Sequence, residues 1–351
     1  MKRLTRKARR RKIRICKKRA RRAKKKRRKL RKASLELQDY FQLKAPEIFT
    51  LSETNSREKL LHFIGRFRKA CAVKKRWIFI DFSMTRRMLA DGTLLFFAEL
   101  SRLRQVTKSF RLRFRCNRPR NTKVAQVLQQ VGIFKLLGYR KSIQTTFPDV
   151  IHWRSASGSE VNGEKYEPVL GHYDGLIADA LRKKLFGGVT EAMTNCRHHA
   201  YLDIRPDGLN INLEKEPKEW WMFTQEKDER LTVVFCDLGI GIPGSLPRKQ
   251  PKLWNLVKQS FVRDLDAHAI QEAIKHSKTS TGLHYRGKGL KQLIDVVSSS
   301  EDGRVRIYSN KGCFTLKSGK EEIAQFEDNI LGTLIYWSIP IGDLKDDTIK
   351  N

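Results

Sequence analysis

Residues 189–201 read VTEAMTNCRHHAY, and their polar side chains are spaced as on one face of a helix. Glu191 and Asn195 are four residues apart, and His198 or His199 extends the stripe by a turn. An amide oxygen can ligate Mg²⁺, and a carboxylate one turn away can accept a proton from an attacking water or hydroxyl. The alternative is an ordinary helix with polar side chains, and this segment alone does not decide between them.

A second segment lies about forty residues further along the chain. Residues 231–237, LTVVFCD, predict a buried strand that ends at Asp237, and LGIGIP follows at 238–243. A carboxylate at the end of a buried strand can accept a hydrogen bond from the amino group of adenine. Gly239 and Gly241 would let the backbone approach the base and adopt positive φ. The alternative is a glycine-rich turn after a core strand.

A third segment, residues 280–290, reads STGLHYRGKGL and precedes a helix predicted over Leu290–Val297. Glycines before a helix expose backbone N–H groups that favour phosphate, and Arg286 and Lys288 would add positive charge. Residues 243–281 are predicted to form a mobile lid over the nucleotide. The sequence contains no GxxxxGK[ST] motif, so this is not a P-loop.

In their order and spacing these segments resemble the N, G1 and G2 boxes of the GHKL ATP-binding superfamily. The string EAMTN (residues 191–195), followed by His-x-Tyr, most resembles the anti-sigma serine kinases. The resemblance implies ATP and Mg²⁺ as ligands, a two-layer α/β sandwich of the α+β class, Glu191 as catalytic base and Asn195 as magnesium ligand. It further implies nucleotide contacts from Asp237, Gly239, Gly241, Arg286, Gly287, Lys288, Gly289 and Thr333.

The composition and motifs predict five segments. They are a disordered basic tail (1–33), a helical connector (34–73), a small α/β domain (74–148), a polar linker (149–170) and the ATP-binding domain (171–345). The predicted secondary structure comprises strands at 77–82, 110–116, 201–213, 220–235, 304–308 and 331–339, with helices at 92–103 and 124–131.

Residues 77–139 resemble a STAS domain, the fold of anti-sigma antagonists. IDFS (80–83) and MLADG (88–92) carry this resemblance. In the antagonists a phosphorylatable serine directly precedes the glycine, whereas here the position is Asp91. The departure argues against a reversible phosphorylation switch and for a fixed negative charge or a structural role. The alternative is a generic α/β module that orients or dimerises the ATPase domain.

The first 33 residues carry 22 Lys or Arg and no Asp or Glu, whereas the other residues carry 51 Lys or Arg against 37 Asp or Glu. Such a segment is predicted to be disordered alone. It can neutralise the phosphates of DNA, RNA or an anionic membrane surface without reading sequence. The alternative is a tail that serves solubility or localisation.

The remaining features of the sequence argue against several classes of protein. No apolar run approaches the ~20 residues of a membrane-spanning helix, and no secretory h-region is present. The six scattered cysteines include no CxxC pair, which favours a reducing, cytoplasmic compartment. Cys196, His198 and His199 suggest a metal, but no second cluster completes a zinc site.

Three functions remain open at this point. The first is an ATPase conformational switch tethered to nucleic acid by residues 1–33. The second is a protein Ser/Thr kinase of the anti-sigma type that acts on a separate protein partner, and the third is a nucleic-acid-binding scaffold with an inert ATP site. GHKL relatives commonly dimerise, so the resemblance also leaves a homodimer open.

Overall fold

The computed structural model describes residues 14–22, 24–25, 38–171, 179–260, 263–276, 289–298, 300 and 302–341. The described part is a mixed α/β structure. None of its helices has the length and apolar character needed to cross a membrane.

The described part of the basic tail is helical, which differs from the predicted disorder. Residues 14–22 and 24–25 are helical and exposed. Lysine, arginine and alanine are good helix formers, so their intrinsic preference favours this local structure even without a core to pack against.

The strands of the described residues, in chain order, are β1 Tyr40–Lys44, β2 Ile48–Phe49, β3 Trp77–Asp81, β4 Arg87–Met88, β5 Phe114–Cys116, β6 Arg154–Gly158, β7 Trp220–Lys227, β8 Arg230–Asp237, β9 Arg304–Ser309, β10 Gly312–Lys317, β11 Lys320–Gln325 and β12 Thr333–Pro340. The α-helices are α1 Thr54–Arg68, α2 Ala90–Val106, α3 Thr122–Gln130, α4 Ile133–Leu136, α5 Pro148–Ile151, α6 Gly163–Leu170, α7 Asp179–Asn195, α8 Gly241–Lys249, α9 Pro251–Ser260, α10 Leu265–His276 and α11 Gly289–Asp295. Short π turns extend α1 (Lys69–Val73) and α7 (Cys196–Ala200), and a 3₁₀ turn covers Lys108–Phe110.

Residues 38–151 form an N-terminal unit around a small parallel sheet with the order β1-β3-β5. Strand β1 pairs with β3 from Tyr40 opposite Trp77. Both β1 and β2 lie inside residues 34–73, which were predicted to be a helical connector, so only its second half is correct. Five residues of mixed polarity in β1 do not show a strand period long enough to be recognised, and the strand is decided by pairing with β3.

Seven described strands form one large sheet with the order β11-β10-β9-β12-β8-β7-β6, in which every neighbouring pair is antiparallel, whereas β2 and β4 pair in parallel as a separate two-stranded sheet. Part of the predicted polar linker (149–170) is a strand, because Arg154–Gly158 (β6) pairs with β7 at the sheet edge. A strand was predicted within residues 201–213, but these residues contain none. The β10–β11 hairpin was not predicted, although its turn residues Ser318 and Gly319 both have positive φ, as a two-residue hairpin turn requires.

Different parts of the chain cover the two faces of the large sheet, between which strand side chains alternate. On one face Phe235 and Trp337 pack against α7, α10 and α11. On the other face Phe223 and Val234 pack against the N-terminal unit, where the rings of Phe97 and Phe223 are 5.3 Å apart.

The predicted lid is largely helical. Residues 241–249, 251–260 and 265–276 form α8, α9 and α10, with Leu246, Val257 and Ala273 in a shared apolar cluster. Residues 261–262 and 277–281 of the predicted lid lie outside the described residues. Apolar residues of this segment are buried between the three helices, and its movement as a lid stays a prediction.

Candidate functional site: a cavity on the helical face of the large sheet

Helix α7 carries the first two candidate residues into a cavity. Its apolar side, including Val189, Ala192 and Met193, is buried in the core. Glu191 and Asn195 are half-buried and line the cavity. The helical spacing predicted from the sequence therefore places both side chains where a ligand could reach them.

Glu191 and Asn195 are joined by a hydrogen bond. The side-chain amide of Asn195 donates through Nδ2 to Oε1 of Glu191 at 2.9 Å. Burial raises the pKa of Glu191, and the hydrogen bond from Asn195 opposes the shift in part. Because this bond uses the amide nitrogen, the amide oxygen of Asn195 is still an acceptor.

Asp237 ends β8 and is buried in the same cavity. The backbone N–H of Gly239 donates to its Oδ1 at 3.0 Å, and the backbone N–H and hydroxyl of Thr333 donate as well. Burial raises the pKa of Asp237 to about 6 against the lowering effect of these bonds and of the positive charge of Arg205. The carboxylate is therefore held in position, but among the described residues no cationic side chain lies within 4.0 Å to balance its burial.

Three positions beside Asp237 require glycine. A Cβ at Gly239 would lie 2.2 Å from the carbonyl oxygen of Ala200, which already accepts a hydrogen bond from Ile240 N. Gly241 has φ +75°, and Gly332 has φ +152° with the carbonyl oxygen of Asp237 2.3 Å from any Cβ. The predicted glycine-rich turn is therefore a close meeting of three backbone segments around the carboxylate.

His199 and Lys249 belong to the cavity as well. Nζ of Lys249 contacts Nε2 of His199 in a short hydrogen bond, and partial burial lowers the pKa of Lys249. Among the described residues, Nδ1 of His199 has no hydrogen-bond partner although it is buried. Sequence reasoning missed Lys249, since a lysine in the last turn of α8 gives no signal of its own.

Of the predicted phosphate-binding segment, residues 280–290, the structure describes only the last two residues. Arg286, Gly287 and Lys288 lie outside the described residues. Gly289 begins α11, and the next residue, Leu290, lines the cavity.

The cavity has a volume of about 240 Å³, somewhat below the roughly 300–1,000 Å³ of typical small-molecule sites. It is lined by Glu191, Ala192, Asn195, His199, Ala200, Phe235, Asp237, Gly241, Ile242, Ser245, Leu246, Lys249, Gln250, Ala273, Leu290, Leu293, Thr333 and Ile335. Polar groups thus project from a mainly apolar wall.

A zinc site at Cys196 is not formed by the residues that the structure describes. They contain no group of three His, Cys, Asp or Glu side chains that could hold a metal. Cys196 is buried in the apolar core, and burial raises the pKa of its thiol.

A buried charge cluster lies behind the cavity and was not predicted. We use the name charge cluster for Arg68, Glu99, Arg102, Arg205, Asp207 and Glu216. Glu99 pairs with Arg205 and, at 3.1 Å, with Arg68. Arg102 pairs with Glu216 and, at 2.8 Å, with Asp207.

The charge cluster connects the N-terminal unit to the floor of the cavity. Glu99 and Arg102 lie on α2, whereas Arg205 lies in the loop after α7. Nε of Arg205 donates to the carbonyl oxygen of Leu331 at 2.9 Å, two residues before Thr333. The residues are far apart in sequence, so no local pattern could have predicted their meeting.

No protein-family model matches the chain, and no curated protein matches it.

Proposed function

We propose that the chain binds Mg-ATP in this cavity, as a GHKL-type protein, and hydrolyses it as a conformational switch. The observation that supports the proposal best is the convergence on one cavity of Glu191, Asn195, Asp237 and Thr333, from separate segments of the chain. Polar residues rarely gather in an apolar cavity without a ligand to satisfy, since burial of polar groups costs free energy.

Asp237 would recognise the base. An ionised carboxylate accepts hydrogen bonds only, which suits the exocyclic amino group of adenine. The N–H of Gly239 and the groups of Thr333 hold the carboxylate in place. The absence of a Cβ at Gly239 and Gly241 keeps the backbone close beside it.

Asn195 and Glu191 would act at the phosphate end. Mg²⁺ neutralises charge on the phosphates when it is bound, and the amide oxygen of Asn195 suits its preference for oxygen ligands. Glu191 would accept a proton from the attacking water. Its pKa, raised by burial, brings the group closer to the pH at which a general base is effective.

Transfer of the γ-phosphate to a separate protein, as by a Ser/Thr kinase, is the second candidate. Asp91, which stands where the STAS-like antagonists carry the acceptor serine, is buried and accepts hydrogen bonds from Thr50 Oγ1 and the N–H groups of Leu51 and Gly92. This position is structural, which supports an acceptor on another chain.

Residues 1–33 would tether the protein to nucleic acid. Six of the nine residues in the exposed helix 14–22 are Lys or Arg, so this part of the tail presents a dense positive charge to solvent. A tail of this kind binds phosphates without sequence preference, and its affinity falls steeply with salt.

The fate of γ-labelled ATP tests the proposal, with purified wild type beside Glu191→Ala. We expect the wild type to release labelled phosphate and the variant to lose about 10²–10⁴-fold of that rate, as loss of a general base predicts, while it still binds nucleotide. Asn195→Ala should weaken the magnesium-dependent part of binding. Adding single-stranded DNA or RNA tests whether the tether stimulates the cycle.

Glu58→Ala provides the matched control, because Glu58 is an exposed helical glutamate on α1. Label found on a protein rather than as free phosphate would favour the kinase. Equal turnover by Glu191→Ala would remove Glu191 as the base. Absence of nucleotide binding by the wild type would contradict the whole proposal and leave the nucleic-acid scaffold.

A further inference from the structure

Among the described residues, the N-terminal unit covers only part of the sheet face opposite the nucleotide cavity. Near Val234, Leu334 and Cys313 this face is apolar and buried. Further along the same strands the side chains become polar or basic and line an open cleft of about 680 Å³. Arg86 and the first residue of β4, Arg87, form part of the opposite wall.

A continuous polar row crosses five strands at the floor of this cleft. The strand register joins Gln225 to Thr232, Thr232 to Ser338, Ser338 to Arg304, and Arg304 to Lys317. At the usual strand spacing the row is on the order of 19 Å long. A binding surface of this length would suit an extended chain rather than a single small molecule.

Carboxylates balance only some of the cations around the cleft. Arg230 pairs with Asp302 at 2.6 Å, and Lys123 pairs with Asp149. Among the described residues, no carboxylate oxygen lies within 4.0 Å of a side-chain nitrogen of Arg304, Arg306 or Lys317. The cleft therefore has an excess of positive charge on its floor.

Two of these cations face each other. Arg304 and Lys317 are direct cross-strand partners on the same face of the sheet, and like charges opposite each other destabilise a sheet. Among the described residues, no carboxylate within 4.0 Å offsets this repulsion. An anion that bound between them would offset it.

We propose that this cleft binds the phosphate backbone of a single-stranded nucleic acid. Arginine presents a planar fork of donors that matches phosphate oxygens, and the half-buried ring of Tyr336 in the lining offers a surface on which a base can stack. The site is on the sheet face opposite the nucleotide cavity, so the inference does not depend on ATP binding.

Salt-dependent binding of labelled dT12 and U12 to the full chain tests the proposal. The test variant combines Arg304→Gln, Arg306→Gln and Lys317→Gln. The control combines Lys59→Gln, Lys69→Gln and Lys108→Gln, which removes the same charge from exposed positions of the N-terminal unit. The basic tail is present in all three proteins, so the difference between variant and control reports the cleft.

We expect the test variant to bind at least tenfold more weakly than the control at about 100 mM salt. The slope of log affinity against log salt should fall by about 2, since each lost single-strand phosphate contact contributes about 0.7. Oligonucleotides that carry 5-iodouridine should crosslink to Tyr336, and a loss for both dT12 and U12 would show that the shared phosphate backbone is bound.

Equal affinities and slopes for test and control variants would overturn the proposal. Crosslinks confined to residues 1–33 would do the same. Displacement of the oligonucleotide by polyglutamate of equal charge, as effectively as by unlabelled oligonucleotide, would assign the cleft to acidic peptides instead. Thermal melts of the variants guard against unfolding, and removal of the Arg304–Lys317 repulsion should leave the melting temperature unchanged or higher.

Discussion

The candidate cavity and the charge cluster bury carboxylates in opposite electrostatic surroundings. Glu99 is fully buried among Arg68, Arg102 and Arg205, and these positive charges hold its pKa at about 2 despite burial. Asp237 is also fully buried, but hydrogen bonds and a more distant cation do not offset burial, and its pKa rises to about 6. We therefore expect Glu99 to stabilise the fold, whereas a buried carboxylate with a raised pKa in a cavity, such as Asp237, is the pattern expected of a ligand-binding group.

The largest effect should follow from breaking the charge cluster. Glu99→Gln would leave three buried guanidinium groups without their shared partner. We expect a loss of about 3–5 kcal/mol in the free energy of unfolding, measured by urea denaturation. The matched control is Glu47→Gln, since Glu47 is exposed and 3.8 Å from Arg86, and exposed pairs contribute at most about 1 kcal/mol.

The pH dependence of stability has a definite sign for Glu99. Its pKa is lowered from the usual 4.5 to about 2, so its contribution is complete above the higher value and is lost as the pH falls towards 2. Glu99→Gln should therefore flatten the acid side of the stability profile. If its loss of stability merely equalled that of Glu47→Gln, the cluster would not be what joins the two units.

Asp237→Asn should weaken ligand binding without destabilising the fold, in contrast to Glu99→Gln. We expect nucleotide affinity to fall by about 10–100-fold, because a hydrogen bond to a charged group contributes about 1.5–3 kcal/mol. Titration of a fluorescent ATP analogue measures this loss. The free energy of unfolding of this variant at pH 7 should be equal to or higher than that of the wild type. Because the pKa of Asp237 is raised in the folded protein, its ionisation favours the unfolded chain, and wild-type stability falls as the pH rises from about 4 to 6.

Denaturation of Asp237→Asn beside Glu99→Gln decides whether the two buried carboxylates differ in their contribution to the free energy of unfolding. Comparable destabilisation by the two substitutions would mean that Asp237 supports the fold in the same way as Glu99. Unchanged nucleotide affinity would remove Asp237 from the adenine site.

The smallest effect concerns the pH dependence of nucleotide binding. With a pKa of about 6, Asp237 is mostly ionised at pH 7 and about one-tenth ionised at pH 5. We expect the affinity for Mg-AMPPNP to fall by about tenfold over that range, relative to Asp237→Asn. The variant serves as the control for titration of the phosphates, and parallel profiles for the two proteins would contradict the assigned role.

Much of the fold near the site could be predicted from local patterns. The helical stripe of Glu191 and Asn195 and the strand ending at Asp237 were both confirmed, since strong periodicity identifies long elements. Strands β1 and β6 were missed, because each is five residues long and is decided by its neighbour in the sheet. Helices α8, α9 and α10 were not predicted, because they bury their apolar side chains only when the three helices meet.

By itself, the sequence determined the chemical groups of the candidate site and the elements that present them. Spacing along a helix and position at a strand end are local properties, so they can be read without knowledge of the fold. Only the tertiary structure decided that Thr333 reaches Asp237, that Lys249 meets His199, and that Arg304 faces Lys317. These contacts join distant parts of the chain, and the packing of the whole molecule determines them together with the burial that sets each pKa.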